Sequence, residues 1–206
     1  MLMNASRLLG YPVLSLHVGG PVARVVSEIV DPEKLKIVAF YVEGPAIKND
    51  PEVGEIMETS DVREFANMGM IVDSVDDFVS EGQVKKLDEI LGLNFSLFGL
   101  KVVTKKGTKL GTILDFVVDT DTFMVHQLVV KRPAVKAFLD PELMIPRKEI
   151  LEINDYEVVV KDEEDKIRKR AAKEDFVPNF VNPFREPDFS TSRVERPRKP
   201  SGQEQV

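Results

Sequence analysis

Short runs of β-branched residues recur along the chain, separated by Asp, Pro, Gly and Thr. Val22, Val25 and Val26 lead into Ile29-Val30, and after "DPEKLK" comes Ile37 to Val42. Further on, Ile113-Leu114 and Phe116 to Val118 precede "DTDTF", and Val125 to Val130 follow it. Runs of this length bounded by turn formers predict antiparallel strands. They are partly continuous rather than strictly alternating, as expected of strands covered in places on both faces. Five or six short strands in about 70 residues favour a small closed barrel over a sandwich. The stretch "SEGQVKKLDEILGLN" (80–94) instead has helical spacing, with Val84, Leu87 and Leu91 on one face and Gly92 and Asn94 at its end. Ser80 with Gln83 has the form of a capping box. Such a helix would pack its apolar stripe on a barrel and set the angle between two of them.

The pattern is written twice. At a spacing of 89, Leu8, Gly10, Val13 and Ser15 face Leu97, Gly99, Val102 and Thr104. At a spacing of 88, "VVSEIVD" (25–31) falls on "ILDFVVD" (113–119), "PAIK" (45–48) on "PAVK" (133–136), Val62 on Ile150 and "MIV" (70–72) on "VVV" (158–160). A period this long implies two domains rather than a solenoid. It also argues that the apolar stretch from Leu8 to Leu16 is a first strand and not a secretory signal, because its counterpart lies mid-chain.

The run "GTKLGTILDFVVDTDTFMVHQLVV", followed by "LMIPRKEILEINDYEVVV", resembles the PRC-barrel family, which takes its name from the H subunit of photosynthetic reaction centres. The positions that carry the likeness are Gly107, Gly111, Val117-Val118-Asp119, Leu128 to Val130, Ile145-Pro146 and Ile150. The first half keeps Val30-Asp31, Val38 to Val42 and Val62, with Ala23 in place of the second Gly and Met57-Glu58 in place of Ile-Pro. The resemblance implies an accessory module for protein binding or RNA processing and no defined catalytic residues. The expected fold class is mainly all-β: two tandem small PRC-type β-barrels joined by a short helix, plus a C-terminal helix and flexible tail. The expected divisions are 1–79 for the first barrel, 80–94 for the linker, 95–165 for the second barrel and 166–206 for the remainder.

Charge separates the two halves. Residues 1–90 carry 8 Lys/Arg against 16 Asp/Glu, whereas residues 91–170 carry 14 against 13. The first half should repel nucleic acid and anionic surfaces, and the second is permissive. There is no cysteine, which removes disulfides, Cys-ligated metals and thiol nucleophiles. No apolar run reaches the roughly 20 residues of a membrane span. No phosphate loop, nucleophile elbow or zinc pattern is present. His126 reads as a partly buried strand residue. Asp119 and Asp121 read as turn-capping carboxylates rather than cation ligands, and Asp115 with them does not make an EF-hand spacing. The expectation is therefore a cytoplasmic protein that is not an enzyme, uses no cofactor and holds no metal.

Two stretches suggest partners. Lys105, Lys106, Lys109, Lys131 and Arg132 can form a basic face for nucleic acid on the second barrel, although Phe98, Phe116 and Phe123 read as core rather than as base-stacking rings. In "DFVPNFVNPFREPDF" (175–189), Phe176, Phe180, Phe184 and Phe189 stand among Pro178, Pro183 and Pro187. Prolines at this density exclude a regular helix. Phe176, Phe180, Pro183, Phe184 and Phe189 either strap across the chain's own barrels or order on a protein partner. A protein partner is the preferred expectation and nucleic acid the alternative; homo-oligomerisation is left open.

Overall fold

Two curled sheets of matching strand order make up the described part of the chain, a computed structural model covering residues 1–50, 52–133 and 141–162. The first part contains β1 (Leu2–Asn4), β2 (Pro12–Ser15), β3 (Gly20–Asp31), β4 (Lys36–Glu43), α1 (Pro45–Asn49), β5 (Ile56–Glu58), β6 (Val62–Ala66) and β7 (Gly69–Val72). Then follow α2 (Lys85–Leu91), β8 (Lys101–Thr104), β9 (Lys109–Asp119), β10 (Val125–Lys131), β11 (Glu142–Pro146), β12 (Ile150–Ile153) and β13 (Glu157–Val160). Sheet 1 runs β5-β4-β3-β2-β7-β6 and sheet 2 runs β11-β10-β9-β8-β13-β12. In each, one parallel pair (β2 with β7, β8 with β13) joins the last hairpin to the first strand. The fold is thus mainly β. Each sheet is a half-barrel rather than the closed barrel expected, because among the described residues its two end strands form no ladder with each other.

Residues 88 or 89 apart occupy matching environments. Leu8 and Leu97, and Val13 and Val102, are all buried, and Gly10 and Gly99 turn the chain at φ 73° and 79°. Asp31 Oδ1 accepts the Glu33 N–H at 2.9 Å, and Asp119 Oδ1 accepts the Asp121 N–H at 3.1 Å, so the same Asp-capped turn closes both hairpins. The Asp121 N–H outweighs burial in holding the Asp119 carboxyl below its ordinary range. One turn later Leu35 and Phe123 adopt positive φ, 47° and 57°.

These two turns join the sheets. Ile37 N–H donates to Phe123 O and Val125 N–H to Leu35 O, both at 2.9 Å, around a bridge between Lys36 and Met124. Each residue of one bond is the 88-shifted counterpart of a residue of the other, so the contact is self-complementary in the manner of a two-fold dimer interface. The Phe123 ring enters sheet 1, edge-on to Phe40 at 5.8 Å and to Phe65 at 6.4 Å. The Arg147 guanidinium crosses the other way, donating to Leu35 O at 2.8 Å and Lys34 O at 2.5 Å. Both sheets therefore share one apolar cluster and belong to one compact unit.

The N-terminal residues do not stay with sheet 1, where the division at 79 would put them. Leu2–Asn4 pairs antiparallel with Val117–Asp119 of β9, continuing the edge that β8 leaves open. Ser6 then anchors the buried Asp115, donating Oγ–H to Oδ2 at 2.6 Å and N–H to Oδ1 at 3.1 Å. The linker helix is shorter than 80–94: it starts at Lys85, and of the capping box only Ser80 N–H to Gln83 Oε1, 2.9 Å, forms ahead of it. Its stripe does pack, with Leu87 buried against Ile29, Ala39 and Ile56 of sheet 1. The expected C-terminal helix and tail lie outside the described residues.

Where the two sheets meet, Glu28 of β3 comes near Asp115. Burial pushes the Glu28 carboxyl up, its own backbone N–H opposes this, and the Asp115 charge adds to the rise. A carboxyl raised in the folded state contributes stability that is complete below its ordinary range and lost as pH rises through its raised value. Glu28→Gln should therefore melt higher than the parent at pH 7, and the two melting temperatures should converge near pH 4. A constant difference across that range would show that the charge is not the cause.

Candidate partner-binding site

The β8–β9 turn and the exit from β10 lie at the same end of sheet 2, because β9 pairs with both strands through Thr112: Lys101 stands opposite it on one side and Lys131 on the other. This brings Lys105, Lys106, Lys109, Lys131 and Arg132 to one end of the sheet, all but the half-buried Arg132 exposed. They do not form an unbroken basic surface. Along the row through Thr112, Lys131 pairs with Glu142 and Lys101 with Glu157, so each lysine of the row has a glutamate as its outer neighbour. Cross-strand neighbours of opposite charge stabilise each other and lower the field available to a polyanion. Phe116 and Phe123 are buried and Phe98 is partly buried, so none of the three is free to stack a base.

The next row on the same face carries the apolar Met144, Val129 and Leu114 beside the buried Asp115. Val129 lies opposite Met144 and Asp115, and Leu114 precedes Asp115 at a β-bulge. Leu114 and Met144 remain 47% and 50% exposed, whereas Ile56, the counterpart of Met144, is fully buried beneath the linker in sheet 1. Beyond this row a shallow groove of about 630 Å³ runs past Met124, His126, Gln127, Pro146 and Lys148. His126 is exposed there, not partly buried as its apolar neighbours suggested: the bulge between Val125 and Gln127 turns it outward. No residue type signals this bulge or the groove beside it. The row's only sequence signal is Leu114 and Met144 themselves, which read equally well as core. Phe176, Phe180, Pro183, Phe184 and Phe189 lie outside the described residues.

Among the described residues no group of three or more His, Asp or Glu side chains is placed to hold a metal ion, and no helix is long and apolar enough to cross a membrane. No curated protein matches the chain. The model of the PRC-barrel domain family matches residues 94–174, which takes in β8 to β13 and all five basic residues. Residues 94–174, and with them the strands β8 to β13, are thus similar to a PRC-barrel domain.

Proposed function

We propose that the chain is a non-enzymatic, cytoplasmic adaptor or accessory module built from two PRC-type barrels, with sheet 1 as the second copy and the Phe/Pro stretch as a linear motif for a protein partner. The observation that carries this reading is the half-exposed apolar row of Leu114 and Met144 on the PRC sheet. The shared strand order and the 88-residue correspondence of Leu35 with Phe123 support the second copy. Co-purification from source-cell lysate tests the reading: a discrete protein should be recovered with the parent chain and lost with Phe180→Ala/Phe184→Ala, with little effect of salt or nuclease.

A second reading, an accessory factor for RNA or ribosome assembly, is favoured by the gathering of the five basic residues at one end of sheet 2. Binding of single-stranded RNA would then weaken with salt at a log–log slope of about 0.7 per phosphate contacted. It would vanish in Lys105→Glu/Lys106→Glu/Lys109→Glu. A salt-insensitive interaction that survives this triple change excludes it.

A further inference from the structure

We propose that the outer edge of β11 is a docking site for an extended segment of a protein partner, one that carries an apolar pair flanked by carboxylates. Arg132 N–H donates to Pro141 O at 3.0 Å, which fixes the hydrogen-bonding phase of the β10–β11 ladder. Bonded and unbonded pairs alternate in an antiparallel ladder, and the register from Gln127/Pro146 to Lys131/Glu142 is uninterrupted. Lys131/Glu142 and Val129/Met144 are therefore unbonded pairs. The backbone N–H and C=O groups of Glu142 and Met144 point away from β10, and among the described residues nothing pairs with them.

Sheet 1 shows what such an edge accepts. Ile56, the counterpart of Met144, donates its N–H to Val79 O at 3.0 Å and accepts the Val79 N–H at 2.9 Å. The segment that supplies Val79 reads Asp76-Asp77-Phe78-Val79-Ser80-Glu81, and Phe78 is buried. In sheet 1 these carboxylates lie on a chain already rich in acid, beside Glu55 and Glu58 on either side of Ile56. The β11 edge is less acidic: among the described residues Lys131 and Arg132 stand at one end and Arg147 and Lys148 at the other, with Glu142 on the strand and Glu149 just past it. A segment of the same kind fits it better in charge, and the half-exposed Met144 offers the apolar contact that Ile56 makes. Main-chain pairing at a sheet edge supplies affinity, and flanking side chains supply choice of partner.

This inference rests on the protein-binding reading and is tested apart from it. The probe is the peptide SVDDFVSEG, residues 74–82 of this chain, titrated into the full-length protein with hydrogen exchange as the readout. The expected result is saturable binding with slowed exchange at the Met144 amide. Affinity should drop at least tenfold when the two peptide Asp residues become Asn, or in Lys131→Glu/Lys148→Glu. Met144→Pro should abolish binding, since an edge position tolerates proline but loses its donor. Absence of saturable binding, slowed exchange at Ile56 instead of Met144, or self-association of the chain through β11 would overturn the proposal. A partner recovered equally by the parent and Met144→Pro would leave the adaptor reading standing and remove the edge. Peptide binding at Met144 with no partner recovered would do the reverse.

Discussion

Phe123→Ala is expected to cost about 3–5 kcal/mol, the range for removing a buried aromatic ring. The ring is 5% exposed and is supplied by sheet 2 to the core of sheet 1, where it meets Phe40 and Phe65. Its loss should do more than leave a cavity. The backbone bonds at Leu35, Ile37, Phe123 and Val125 sit around it, so the two sheets should uncouple, and a single urea transition should broaden or split. Leu35→Ala, at the matching turn, should cost about 2–5 kcal/mol. Glycine at 123 separates packing from backbone strain. Both replacements lose the ring, but only glycine relieves φ 57°, worth about 1–2 kcal/mol for an L residue. Phe123→Gly should therefore be the more stable of the two. A loss below 1 kcal/mol for either, in a urea titration followed by circular dichroism, would mean that the ring does not hold the sheets together.

Much of this arrangement could be read from the sequence, and the parts that could not share a cause. Strands, hairpin turns and the apolar stripe of α2 are set by local pattern: the Asp that ends each long strand caps its turn, and Leu87 falls on the face that Val84 and Leu91 predict. What local pattern does not encode is which strand a segment chooses when two are offered. Leu2–Asn4 pairs with β9 rather than with its sequence neighbours because β8 leaves the far half of that strand open. Leu35 and Phe123 were likewise hidden, since β-turn positions with positive φ are expected to be Gly or Asn, and bulky residues stand there only when their side chains gain elsewhere. At the candidate site the five basic residues were found by composition alone. The apolar row beside them depends on bulges at Leu114 and His126 that no residue type announces.

Gly111→Ala and Gly44→Ala should each cost about 1–3 kcal/mol or more, the penalty of overpacking where the obstacle cannot swing aside. A Cβ on Gly111 would lie 2.0 Å from Lys131 O, and one on Gly44 would lie 2.2 Å from Val22 O and 2.8 Å from Ala23 Cα. All the nearest obstacles but one are backbone atoms. Gly111 should be the more sensitive of the two, because its φ of 154° also disfavours a side chain, whereas the φ of 178° at Gly44 does not. The two positions explain a departure in the first half, where Ala23 stands at the place of Gly111. Shifted by 88, Gly111 falls on Ala23 and Arg132 on Gly44, so both glycines serve the same strand crossing from opposite sides. Only one of the two chains at that crossing has to lack a side chain. In sheet 2 it is β9, and in sheet 1 it is the segment leaving β4. Ala23→Gly should accordingly bring no gain and cost about 0.5–1 kcal/mol through lost backbone restriction. Chemical denaturation of the three variants decides the matter. A neutral Gly44→Ala would mean that the crossing in sheet 1 is relieved in another way, and Ala23 would then be a real difference between the halves.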